Sequence, residues 1–166
     1  MFLSIATTHR PATDLGFLLM KHPERVHSAE LGFGAAMVLF PQADEDRCEA
    51  ALLLDVDPVG LVRGRGGADG LLSQYVNDRP YAATSFLAVA LNRVFRTAMT
   101  GQSRERPELA QTPIPLEVRV TPLPGGAATV ARFFEPLGWE VAAQAVPGAG
   151  GYVDLTLRGR HRVADA

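Results

Sequence analysis

The order of strand-like and helix-like segments at the two ends of this chain limits its fold more than any single motif. Residues 1–60 and 112–160 each read strand, helix, strand, strand. In the first segment, residues 3–8 have strand character, and a turn at Arg10-Pro11 precedes a helix capped by Thr13 or Asp14. Leu15, Leu18, Leu19 and His22 fall at i, i+3, i+4 and i+7, which buries one face, and Pro23 ends the helix. Strands over 26–31 and 35–40 follow, joined through Gly32-Phe33-Gly34 as a hairpin. A polar helical turn at 44–48 then leads to a continuous apolar run of strand length at 51–56. The last third repeats the order: a strand at 116–121, a helix at 127–137, a strand at 139–146, a glycine loop and a strand at 152–157. Both helices start near an Ala-Thr pair, Ala12-Thr13 and Ala128-Thr129, while the segments otherwise share little identity, so an internal duplication is only one reading of the pattern.

The expected fold is therefore α+β, with mixed, mainly antiparallel sheets covered by helices in two β-α-β-β lobes, 1–60 and 112–160. A glycine-rich loop at 60–70, a strand-like segment at 71–76 and the longest helix, at 85–100, join them. Thr84 or Ser85 is placed to cap that helix, and Gly101 to occupy the position just past its end. Leu87, Leu91, Val94, Phe95 and Ala98 form its apolar stripe; Asn92, Arg93, Arg96, Thr97 and Thr100 form its polar side. Arg93 and Arg96 near the C-terminal end also suit the helix dipole. A polar connector at 102–111, with Arg104-Glu105-Arg106, precedes Pro113 and Pro115.

With 166 residues, 47% of them hydrophobic and 20% charged, the chain can bury a substantial core and is unlike a disordered segment. Its net charge of −2 offers a polyanion no overall attraction, so nucleic-acid contact requires a local basic patch. Lys21 is the sole lysine, and a GC-rich coding bias accounts for the preference for arginine. The single cysteine, Cys48, has no internal disulfide partner and fits a reducing compartment. No apolar run approaches the roughly 18 residues of a membrane span, and residues 1–5 lack the parts of a secretion signal, so a cytoplasmic location is expected. The chain stops soon after the strand-like 152–158, as a fragment of a longer protein would.

Chemistry-bearing constellations are sparse. Gly64-Arg65-Gly66-Gly67-Ala68-Asp69-Gly70 could cradle a phosphate beside Arg63 and Arg65, but it has no Walker lysine and no long helix opens at its end; a surface loop explains it more simply. His9, His22, His27 and His161 are scattered without an i, i+4 pair. The doubled pattern resembles vicinal-oxygen-chelate folds, which would make His9 and Glu117 ligands, yet neither half supplies a convincing second ligand. There is no Gly-x-Ser-x-Gly elbow, and Cys48 in a helical turn is by default a structural thiol. Asp55 and Asp57 could act as acid and base, although a strand-end turn before Pro58 accounts for them. Tyr75, Asn77, Asp78, Arg79, Pro80 and Tyr81 are the best recognition residues, since Tyr and Arg bury area while keeping a polar tip satisfied. An Asx-turn setting up the next helix, with both tyrosines in the core, explains them equally well on chemistry alone.

Several separate stretches carry a family resemblance. They are Thr7 through Gly16, Ala51 through Gly64, Tyr75 through Tyr81, Arg104-Glu105-Arg106-Pro107-Glu108-Leu109, Phe134 through Val141, and Asp154-Leu155-Thr156-Leu157-Arg158-Gly159. In this order, they resemble the N-terminal region of the bacterial RNA 3′-terminal ribose 2′-O-methyltransferase. The resemblance implies a part in RNA repair through association with a polynucleotide kinase-phosphatase-ligase, whose ligase activity that region switches on. It implies no catalysis and no cofactor within these residues; S-adenosylmethionine and a divalent metal are expected in a missing C-terminal domain. The partner contact is then expected at Tyr75, Asn77, Asp78, Arg79, Tyr81, Arg93 and Arg96. The alternative is an RNA-binding module that positions a damaged 3′ end for the downstream methyltransferase, using Arg63, Arg65, Arg93 and Arg96; a stand-alone metalloenzyme is the third reading.

Overall fold

The computed structural model describes residues 1–57, 82–148 and 150–166. The loop at 60–70 and the strand-like 71–76 lie outside them. Seven strands form one antiparallel sheet in the order β2-β3-β4-β1-β5-β7-β6. They are β1 (Phe2–Thr7), β2 (His27–Leu31), β3 (Gly34–Ala43), β4 (Cys48–Val56), β5 (Ile114–Pro124), β6 (Glu140–Ala145) and β7 (Tyr152–His161). Among the described residues the α-helices are α1 (Asp14–Leu19), α2 (Ala82–Val94), α3 (Arg96–Met99), α4 (Pro107–Ala110) and α5 (Gly126–Phe134). This is the expected α+β class. The two β-rich thirds lie side by side in a continuous sheet, because β1 pairs with β4 on one flank and with β5 on the other.

Each half follows the same course. β1 leads through α1 to a meander whose last strand, β4, returns beside β1; β5 leads through α5 to a hairpin whose last strand, β7, returns beside β5. Strand alternation then sorts the side chains. Ile5 lies opposite Ala50 and Val118, and Val118 lies opposite Leu157, so these share one face. Leu19, Leu91, Phe95 and Ala98 border the same apolar cavity as Leu3, Ile5 and Val118, which places α1, α2 and α3 on that face. Val141 and Ala143 pack on the core between exposed neighbours, so α5 covers it as well.

Three local expectations change. The first helix ends at Leu19 rather than reaching His22, because Met20 adopts a left-handed conformation (φ 55°) and Lys21 N donates to Gly16 O at 2.9 Å. This chain reversal leaves His22 exposed, not buried. Residues 44–47 form a turn between β3 and β4 instead of a helical turn: Asp44 Oδ1 accepts hydrogen bonds from Asp46 N at 2.9 Å and Arg47 N at 2.8 Å. Cys48 consequently opens β4 and is fully buried. The long helix starts at Ala82, so Thr84 and Ser85 lie within it rather than capping it, and it breaks at Phe95 before α3. Leu87, Phe95 and Ala98 are buried as the stripe requires, and Gly101 takes the left-handed conformation (φ 70°) expected past the end.

Leu15 and Leu52 are almost wholly inaccessible, so Leu15→Ala should cost about 2–5 kcal/mol in urea unfolding. Gly34 opens β3 at φ 147°, and a Cβ there would meet Asp55 O at 2.0 Å. Gly34→Ala should therefore destabilise the β3–β4 pairing by roughly 1–3 kcal/mol in the same assay.

Candidate interaction surfaces

The helical side carries a surface built from α1, α3 and the 102–111 connector. Asp14, in the first turn of α1, accepts from Arg106 Nε at 2.9 Å, and Ser103 Oγ donates to Phe17 O at 3.1 Å. Both tie the connector to α1. The Arg106 guanidinium also stacks 4.8 Å from the centre of the Phe17 ring, leaving Phe17 and Met20 each 42% exposed. Beside them a cleft of about 520 Å³ is lined by Met20, Thr97, Gly101, Gln102, Ser103, Arg104, Pro107 and Gln111. Lys21 lies 5.9 Å over the Phe95 ring, and its partial burial lowers the ammonium pKa from its ordinary value. Exposed apolar atoms and cationic heads are therefore interleaved, which suits a partner that offers both an apolar anchor and negative charge.

Of the residues singled out from sequence, Arg93 lies at the C-terminal end of α2 and Arg96 at the start of α3, which also supplies Thr97 to the cleft; both arginines are exposed. Tyr75, Asn77, Asp78, Arg79, Tyr81, Arg63 and Arg65 fall outside the described residues.

The opposite sheet face holds a cluster that sequence reasoning missed. Glu117 on β5 accepts from Arg47 Nη2 at 2.9 Å and Arg119 Nη2 at 2.8 Å through Oε1, and from Arg158 Nε at 2.8 Å through Oε2. Glu49 lies 3.5 Å from Arg47. Partial burial works to raise the Glu117 pKa, but hydrogen bonds from Arg47 and Arg158 and the charges of Arg119 and Arg47 outweigh it and hold the carboxyl below its ordinary value. The alternation of Glu117 and Arg119 along one strand was visible. That Arg158 stands opposite Glu117 follows only from the β5–β7 register.

Both Glu117 oxygens accept from guanidiniums, which leaves them poorly disposed to ligate a metal, and among the described residues no three His, Cys, Asp or Glu side chains are grouped to hold an ion. Cys48 is equally unsuited to nucleophilic work, because burial, followed by the Asp44 charge, pushes its thiol up to about 11. Asp55 pairs in register with Ala35 at the end of β4, as a strand-end role requires.

A depressed folded-state carboxyl contributes stability above its unfolded pKa, and that contribution disappears as pH falls through the folded value. Glu117→Gln should therefore lower Tm at neutral pH, with the gap to the parent chain closing as the pH is taken below about 4. Cys48 should resist alkylation at pH 8 until the chain is unfolded.

Comparison with known proteins places the chain. Two chains from solved structures share the fold: one from "Structure of the Pnkp1/Rnl/Hen1 RNA repair complex", with TM-score 0.61 and 14% identity over 98% of this chain and 38% of that one; the other from "Structure of Pnkp1/Rnl/Hen1 complex", with TM-score 0.59 and 15% identity over 96% and 37%. The chain thus spans well under half the length of these neighbours. A search of curated protein sequences finds no match. Among the described residues, no helix is long and apolar enough to cross a membrane. Residues 1–166 match in full the family described as the RNA repair, ligase-Pnkp-associating, region of Hen1, and the chain belongs to that family.

Proposed function

We propose that this chain is a docking and activating region that binds the ligase part of a polynucleotide kinase-phosphatase-ligase and raises its activity. The observation that carries this reading is the match of the whole chain to a ligase-Pnkp-associating region. The neighbours sharing its fold come from complexes of Pnkp1, Rnl and Hen1, which supports association as the working state. The helical side, with Phe17, Met20 and Arg104 at the cleft and the exposed Arg93 and Arg96 on α2 and α3, is the described surface best suited to the contact, because it offers both apolar anchors and positive charge. Tyr75, Asn77, Asp78, Arg79 and Tyr81 extend the contact on sequence grounds.

Activation needs no chemistry from the docking partner. A region that binds the ligase more tightly in its competent conformation shifts the population toward that conformation, about tenfold for each 1.4 kcal/mol of differential affinity. Methyl transfer, with S-adenosylmethionine and a divalent metal, is assigned to a part of the protein outside this region, consistent with the small share of the neighbours' length that it spans. In this reading the protein works in the cytoplasm.

The test is ligase adenylylation and end-joining with the chain titrated against its kinase-phosphatase-ligase partner. Combined Arg93→Ala and Arg96→Ala should weaken binding about tenfold and reduce stimulation at sub-saturating concentration, with stimulation restored at excess chain. Unchanged binding would move the contact away from α2 and α3. Failure of the parent chain to bind or stimulate the ligase would overturn the reading itself.

A further inference from the structure

We infer that the arginine cluster on the sheet face opposite the helices is a phosphate-binding site for an RNA strand. The inference is independent of ligase docking and uses none of its residues.

The first argument is charge. Arg47, Arg119 and Arg158 converge on Glu117, and the only second carboxylate in ion-pair range of them is Glu49, among the described residues. Glu140 stands opposite Arg158 in the β6–β7 register but makes no ion pair with it among the described residues. Arg160 leaves β7 two residues further along, on the same face, with Nη2 donating to Pro113 O at 3.1 Å. The patch is cationic in a chain whose net charge is −2, so it is a place where a polyanion gains locally what the whole molecule withholds.

Unused donors give the second argument. A guanidinium carries five N–H groups, and Arg158 spends only its Nε on Glu117 among the described residues. The side chains of Arg119 and Arg158 are 48% and 47% exposed, so each can hold Glu117 with one edge and present the other. A shallow cleft of about 290 Å³ lies where Arg47, Arg158, Thr8 and Glu117 meet. Thr8 is exposed there, while Thr7 is fixed by its own hydrogen bond to Pro115 O at 2.7 Å. Two guanidiniums and a hydroxyl around one opening supply donors for a ligand made only of acceptors, and the tetrahedral phosphate matches the guanidinium fork.

Glu117 then has two effects. It aligns the arginines, and it competes with the incoming anion for them. These effects give opposite outcomes on substitution, which separates a binding site from a purely structural ion network. Removing the carboxylate should strengthen phosphate binding if the cluster is a site, and only loosen the sheet if it is not.

The experiment measures binding of a short, fluorescently labelled single-stranded RNA to the 166-residue chain by anisotropy across a salt series. Arg158→Ala should weaken binding about tenfold and reduce the salt slope by about one, as loss of a single phosphate contact does. Arg158→Lys should recover most of the affinity, and Glu117→Gln should tighten binding about threefold. Addition of a 5′-phosphate, and competition by inorganic phosphate, distinguish a terminal phosphate from the strand backbone; either source supports the site. Equal affinity of the parent chain and Arg158→Ala, with circular dichroism unchanged, overturns the proposal even if Glu117→Gln does not fold. So does weaker RNA binding by a folded Glu117→Gln, or an acidic peptide that binds through Arg158 where RNA does not.

Discussion

The double pairing of β1 is the interaction on which the rest of the structure depends. All of its residues, Phe2 to Thr7, are in register with β4 on one side and β5 on the other, so its backbone donors and acceptors have ladder partners across both flanks. Ser4 and Thr7, its two polar side chains, are buried along with Ile5 and Ala6. β1 is therefore the seam between two halves that would each be small alone, and the β1–β5 ladder converts two modest sheets into one that supports a shared core.

That seam also creates both surfaces of interest. On the helical side, the cavity among Leu3, Ile5, Leu19, Leu91, Phe95 and Ala98 draws α1, α2 and α3 together over β1, which brings Met20 and Thr97 to the edge of the same cleft. On the other side, residues from three elements meet only because β4, β1, β5 and β7 are neighbours: Arg47 enters beside β4, Glu117 lies on β5 and Arg158 on β7. Glu117 holds a guanidinium from each half of the sheet, so the electrostatic tie crosses the line that the β1–β5 ladder closes. Two of its partners, Arg119 and Arg158, are half-exposed rather than sealed in the core, which keeps the network responsive to solvent and to anions.

Much of the scaffold could be read from local pattern. The Gly32-Phe33-Gly34 hairpin, the apolar strand at 51–56 and the positive φ at Gly101 all follow from nearest-neighbour chemistry, and the structure has them. The misreadings occurred where a tertiary or turn constraint outweighed periodicity. His22 fits the helical stripe of α1, but Gly16 lets the chain double back on it: a Cβ there would sit 2.9 Å from Lys21 O and 3.0 Å from Pro23 Cγ. Asp44 to Arg47 have helix-compatible composition, but one Asp44 oxygen captures two backbone N–H groups and makes a tight turn. The arginine cluster was invisible for a different reason. Arg47 and Arg158 lie 70 and 41 residues from Glu117 in sequence, and only strand register makes them neighbours.

The placement of the two surfaces has a consequence of its own. The Met20–Thr97 cleft and the Arg158 cluster lie on opposite sides of one sheet, so occupation of one does not sterically exclude the other. A region docked through its helices would carry its cationic sheet face outward. An RNA held there would be confined near the docked ligase, raising the effective concentration of strand and enzyme without a shared contact. The affinity needed at the sheet face is then small. A few phosphate contacts, weak and salt-sensitive on their own, suffice once docking has supplied the proximity, and this matches a cluster of half-exposed arginines better than it matches a deep pocket.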